Sequence, residues 1–166
     1  MKILKAKLKA MIETLADNEQ DPSNPKNRVS LITFSTEAIH RATAFPANPS
    51  GLASLNSQIS ALQPEGGTNY YDAIQKLHNV MNSYPGSEKI VFFVTDGEPT
   101  AATPGAALGG GTSWEVGPAT IFAYYAAEHL QVDRLYSLYI GNDKGGSALQ
   151  GFTQRVELLN RAGKGS

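Results

Sequence analysis

The sequence predicts an α/β fold: a doubly wound, mainly parallel sheet with helices on both faces and one antiparallel edge hairpin. Three observations carry this. Apolar segments of strand length alternate with segments of helical periodicity along the chain. Successive strands are joined through helices, which is how parallel neighbours have to be connected. One early pair of strands, "VSLITFS" and "EAIHRATAF", is separated by so little chain that it has to turn back on itself as a hairpin.

Taken in order, Leu4, Leu8, Met11, Ile12 and Leu15 recur at helical spacing, so residues 2 to 16 form a helix with one apolar stripe and a lysine-rich outer face. "DNEQDPSNPKNR" follows as a surface loop in which Pro22 and Pro25 bar helix continuation. After the hairpin, Leu52, Leu55, Ile59 and Leu62 mark a short helix, with Asn48 or Ser50 available as its N-cap. Two glycines, Gly66 and Gly67, lead into a further helix with the stripe Tyr70, Ile74, Leu77 and Met81, closed by Pro85 and Gly86.

"KIVFFVTDGEPT" is an apolar run that stops abruptly at an acid, a glycine and a proline. Val91, Phe92, Phe93 and Val94 show no alternation, so the strand at 89 to 95 is expected to be buried on both faces. Residues 97 to 117 then hold six glycines and two prolines with little periodicity. At that length an irregular loop is usually functional or disordered. A helix from about Pro118 to Leu130, the strand "RLYSLYIG" and a last helix from about Ala148 to Arg161 complete the chain.

At 166 residues a single domain spanning 1–166 is the natural expectation. The formal net charge of -1 offers no footprint for nucleic acid. The absence of cysteine excludes disulfides and thiolate metal sites. No run approaches the ~20 apolar residues of a membrane-spanning helix, and the lysines of the first ten residues are scattered rather than grouped as in a signal peptide.

In open sheets of this class ligands sit beyond the carboxyl ends of the strands. Asp96 directly follows a strand, and Thr68 opens a helix behind Gly66 and Gly67. Read singly, Thr68 is a helix N-cap and Asp96 starts a turn with Gly97. Read together, they are two short oxygen ligands of the kind a hard divalent cation takes while keeping several waters. A third reading makes the glycines a phosphate cradle at a helix N-terminus, but the P-loop lysine and the three-glycine dinucleotide pattern are lacking. Glu98 and Thr100 stand where they could rim the site, and Trp114 either contacts a ligand or pins its loop to the domain. His40, His78 and His129 have no ligand spacing, and no catalytic triad is legible.

In this order and spacing, "RVSLITFS", "GGTNYYDAI" and "KIVFFVTDGEPT" resemble the von Willebrand factor type A domain, over essentially the whole chain. The resemblance implies a metal-ion-dependent adhesion site built on an Asp-x-Ser-x-Ser loop after the first strand, a threonine matching Thr68 and an aspartate matching Asp96. A bound Mg²⁺ or Mn²⁺ would then present an open position to an acidic residue of a protein ligand. No Asp-x-Ser-x-Ser follows a strand here; "DPSNP" at 21 to 25 lies in the loop after the first helix.

The expectation is therefore an N-terminally truncated copy that lacks the first, central strand. Buried unsatisfied backbone groups cost roughly 1 to 3 kcal/mol each against a total stability of ~5 to 15, so such a chain should be marginal alone and bind the cation weakly or not at all.

The function implied is a non-catalytic binding or adhesion module of a larger extracellular or cell-surface protein, similar to the A domains of bacterial adhesins and pilus-tip proteins. The alternative is an intracellular A-domain subunit working beside an ATPase in metal insertion or complex remodelling. A signal peptide or sortase motif in flanking sequence would favour the first, and a neighbouring ATPase gene the second.

Overall fold

The computed structural model describes residues 2–21, 23–63, 66–97, 100, 130–140, 149–154 and 156–157. The chain divides into two compact units, Met1–Thr33 with His40–Glu65, and Phe34–Ile39 with Gly66–Ser166. The expected helix from Pro118 lies outside the described residues except for Leu130, as does the glycine-rich loop except for Gly97 and Thr100.

In the first unit, α1 (Lys2–Asp17) precedes β1 (Arg28–Phe34), β2 (Ala38–Pro46) and α2 (Pro49–Ala61). The strands pair as a hairpin whose short link, closed by Ser35 N–H donating to the Glu37 carbonyl at 2.9 Å, leaves only the antiparallel arrangement. Helix α2 starts where its cap predicts: the Asn48 side chain accepts from Gly51 N–H at 3.0 Å and Pro49 takes the first turn. The predicted stripes meet in a core of Ile12, Ala42, Leu55 and Ile59, with Leu8, Val29, Leu31, Phe45 and Leu52 packed against it. The lysine face of α1 is less free than its sequence suggests. Lys5 Nζ donates to the Ser60 carbonyl at 2.7 Å and Lys9 Nζ to the Ser60 hydroxyl at 2.8 Å, placing two cations at the carbonyl end of α2.

The loop after α1 is held by its own acids. Asp21 Oδ1 accepts from Ser23 Oγ at 2.5 Å and from the amides of Ser23 and Asn24, and Glu19 Oε2 accepts from the backbone and side-chain amides of Asn27, both at 3.0 Å. The Asn27 backbone bond holds the Glu19 pKa below the ordinary carboxylate value, and the Ser23 hydroxyl does the same for Asp21.

In the second unit, α3 (Tyr70–Asn82) is followed by β3 (Ile90–Thr95) and β4 (Arg134–Tyr139), with further helix at 149–154 and 156–157. β3 and β4 are parallel, Phe92 beside Tyr136 and Val94 beside Leu138. The core is aromatic. The Tyr70 ring lies 4.9 Å from Phe93, 5.7 Å from Phe152 and 5.9 Å from Phe34, mostly edge-on, while Leu130 and Val156 are buried in the same unit.

β3 corrects one expectation. Phe93 and Thr95 are buried, but Ile90 is 47% exposed and Phe92 50%, as are Tyr136 at 49% and Leu138 at 50% on β4. The strand is covered on one face because α3 and the last helix supply rings only to the Phe93 side. On the other, the Phe92 and Tyr136 rings stack on each other at 5.1 Å. Among the described residues the strands form two separate ladders, β1 with β2 and β3 with β4.

Truncating Phe93 to alanine should cost about 3–5 kcal/mol, read from urea unfolding. The loop carboxylates set a pH dependence. Because their pKa values are lowered on folding, their stabilisation is complete above the ordinary carboxylate range and disappears as pH falls through and below it. Amide exchange at Ser23 and Asn27 should quicken, relative to intrinsic rates, on that acidic limb, and Asp21→Asn should remove the effect at Ser23.

Candidate metal centre

Thr68 and Asp96 lie in the second unit on loops that the fold draws together. The Gly66–Asn69 loop is fixed first by the hairpin turn. Gly67 N–H donates to Thr36 Oγ1 at 3.0 Å, and Asn69 N–H donates to the Ser35 carbonyl at 2.8 Å. Gly66 makes the approach possible: it has φ of 69°, and a Cβ there would lie 2.7 Å from Thr36 Oγ1.

The N-cap of α3 is Asn69 and not Thr68. Asn69 Oδ1 accepts from Asp72 N–H at 3.0 Å, while its Nδ2 donates to the Thr36 carbonyl at 2.8 Å. The capping role considered for Thr68 is thereby taken, and among the described residues the Thr68 hydroxyl has no hydrogen-bond partner.

The loop after β3 is drawn onto Thr68. Gly97 packs so closely that a Cβ on it would sit 2.9 Å from Thr68 Oγ1. Tyr70 Oη donates to the Gly97 carbonyl at 2.9 Å, and Thr68 N–H donates to Thr100 Oγ1 at 2.9 Å. The chain bends at Asp96 and Gly97, and there Gly97 N–H donates to Thr95 Oγ1 at 3.3 Å. Asp96 is exposed, and its carboxylate has no hydrogen-bond partner among the described residues.

The structure thus brings Thr68, the backbone beside Asp96, Thr100, Gly66 and Gly67 into one cluster, and adds Ser35 and Thr36, which the sequence places at the end of a strand facing the same edge. A strand ending in "FSTE" directly after an apolar run was the available signal. Glu98 and Trp114 lie outside the described residues. The phosphate-cradle reading fails on geometry, because the amides of Gly67, Thr68 and Asn69 already donate within the protein. Asp21 and Ser23 satisfy each other in their own loop.

Whether the cluster suits a divalent cation is a matter of donor chemistry. A hydroxyl and a carboxylate, both oxygen, both without a hydrogen-bond partner among the described residues and carried on adjoining backbone, are donors of the kind Mg²⁺ or Mn²⁺ accepts, and would supply part of a coordination shell.

An α/β domain with a threonine loop and an aspartate loop meeting past a strand end defines the class: a module whose site is carried on loops above a sheet. The chain belongs to the von Willebrand factor type A domain family, which it matches over residues 2–98. It is 32% identical over 88 residues to inter-alpha-trypsin inhibitor heavy chain H4 of Homo sapiens, a stretch of 48% of this chain and 10% of that protein. The fold is similar to that of the PilB minor pilin from Streptococcus sanguinis, with a TM-score of 0.64 at 16% identity. A single-residue mutant of that pilin gives 0.67 at 17%, covering 98% of this chain and 54% of the pilin. The chain therefore spans about half of the pilin and about a tenth of the human relative.

Replacing Asn69 by alanine removes a cap and strands a carbonyl, and should cost roughly 2–3 kcal/mol in urea unfolding. Exposed Asn79→Ala on the same helix should stay within about 0.5 kcal/mol.

Proposed function

We propose that this chain, a member of a family of protein-interaction modules, is a non-catalytic binding module of a larger extracellular or cell-surface protein, engaging an acidic residue of a protein ligand through a divalent cation held by Thr68 and Asp96. One observation carries the reading: a hydroxyl and a carboxylate on adjoining loops, neither with a hydrogen-bond partner among the described residues, beside a glycine packed against the hydroxyl. Mg²⁺ or Mn²⁺, when bound, supplies a positive centre with a position open to the ligand's carboxylate.

The chain's own residues do the positioning. Asn69 and Thr36 fix the threonine loop, Tyr70 fixes the carbonyl after Asp96, and exposure leaves Asp96 accessible from solvent. The likeness of fold to a minor pilin supports a place in a surface assembly. No Asp-x-Ser-x-Ser motif follows a strand in this sequence, and the expected affinity is accordingly weak.

Paramagnetic Mn²⁺ detects weak binding directly. Titration into ¹⁵N-labelled protein should broaden the amides of Thr68, Asp96 and Gly97 first, with a dissociation constant of about millimolar order, and Asp96→Ala should abolish the selectivity. Broadening centred on other acids would overturn the site. Micromolar binding by calorimetry would overturn the claim that further donors are required.

A further inference from the structure

Within the cluster Thr68 and Thr100 bond reciprocally. Thr100 Oγ1 accepts the Thr68 N–H at 2.9 Å, and Thr100 N–H returns a bond to the Thr68 carbonyl at 2.9 Å. Both backbone polar groups of Thr68 are thereby taken by a single residue from the loop that carries Asp96. We infer that Thr100 is a positioning residue: its hydroxyl clamps the Thr68 backbone, and through it sets where the Thr68 hydroxyl stands relative to Asp96. The inference rests on the proposed pairing of Thr68 with Asp96 only for its functional consequence.

The physical argument runs through degrees of freedom. Gly66 and Gly67 precede Thr68, and without a partner for its amide this backbone would be free to rotate. The Thr36 hydroxyl restrains the amide at Gly67 and the Ser35 carbonyl restrains the one at Asn69. Thr68 lies between these anchors, and its own amide has a side-chain acceptor only in Thr100. On the other loop, Asp96 is followed by Gly97, held through its carbonyl by Tyr70 and through its amide by Thr95. Thr100 joins the two systems. Without it, among the described residues, the register of one loop against the other would rest on the Tyr70 hydroxyl's bond to the Gly97 carbonyl and on the packing of Gly97 against Thr68.

A second consequence concerns side-chain choice. Serine retains the acceptor oxygen and the backbone bond, so Thr100→Ser should preserve the clamp. Valine has the same shape but no acceptor, so Thr100→Val leaves the Thr68 N–H without its partner. The two variants separate hydrogen bonding from packing.

The test measures amide exchange and Mn²⁺ relaxation on the 166-residue chain and on both variants. Protection of the Thr68 amide should fall roughly five- to tenfold in Thr100→Val, as for one lost hydrogen bond, while Asn69 and Ala73, whose amides donate to the Ser35 and Asn69 carbonyls, keep theirs. Thr100→Ser should restore it. Mn²⁺ affinity at Asp96 should fall about tenfold or more in the valine variant and recover in the serine variant, the size expected for a residue that orients a ligand. Unchanged Thr68 protection in Thr100→Val would overturn the proposal. So would lost protection with Mn²⁺ binding at Asp96 undiminished, which would make the clamp merely structural. Selective loss and rescue of Thr68 protection without Mn²⁺ binding at Asp96 in any variant would support the clamp and remove the cation reading.

Discussion

The candidate site depends on one buried side-chain amide. Asn69 has no exposed surface, and an amide buried without partners would cost several kcal/mol. Its partners are what organise the region: the Ser35 carbonyl for its N–H, the Thr36 carbonyl for Nδ2, and the Asp72 amide for Oδ1. Asp72 extends the network by accepting the Ala38 N–H at 2.6 Å. The hairpin turn and the first turn of α3 are thereby joined by hydrogen bonds that favour a single register. Thr68 precedes this amide by one residue and reaches the site; Tyr70 follows it by one and enters the aromatic core, while its hydroxyl returns to hold Gly97.

That coupling explains what was legible in the sequence and what was not. The stripes of α1, α2 and α3 were plain because each is a periodicity, and Asn48 could be picked as a cap because it precedes a proline at the right place. Thr68 and Asp96 were legible as motif positions. Asn69 was not singled out, because two adjacent residues of capping type compete locally. The choice between them was made by Ser35 and Thr36, more than thirty residues away in sequence. Thr100 was legible only as a possible rim residue, since its role as acceptor depends on the path of the loop after Gly97.

β3 was misread for a related reason. "IVFFVT" has no polar alternation, and an unalternated run is the pattern of a strand covered twice. The structure covers the Phe93 face with the Tyr70 and Phe152 rings and leaves Phe92 stacked on Tyr136 in solvent. The residue pattern therefore records a requirement for burial that the described elements do not meet on that side. The ladders agree with it: among the described residues β1 and β3 each have one strand partner, which leaves the backbone groups along the other edge of each without a described strand beside them.

The short ladders bear on the candidate site. A ligand loop at a strand end is only as well placed as the strand beneath it, and here Thr68 and Asp96 are held by crosslinks among loops rather than by a continuous ladder. The hydrogen bonds from Thr36, Tyr70 and Thr100 provide a local substitute: each spans two chain segments near the site. Local fixation of this kind can preserve the direction of two oxygen donors, but it cannot add donors. A hard divalent cation coordinated by two protein oxygens keeps most of its water. In the proposed site its residual charge would be well exposed, favouring capture of a carboxylate from a partner, while its hold on the protein would stay weak. Selectivity for a partner would then come from surfaces flanking the cation, since the shared fold does not choose the ligand.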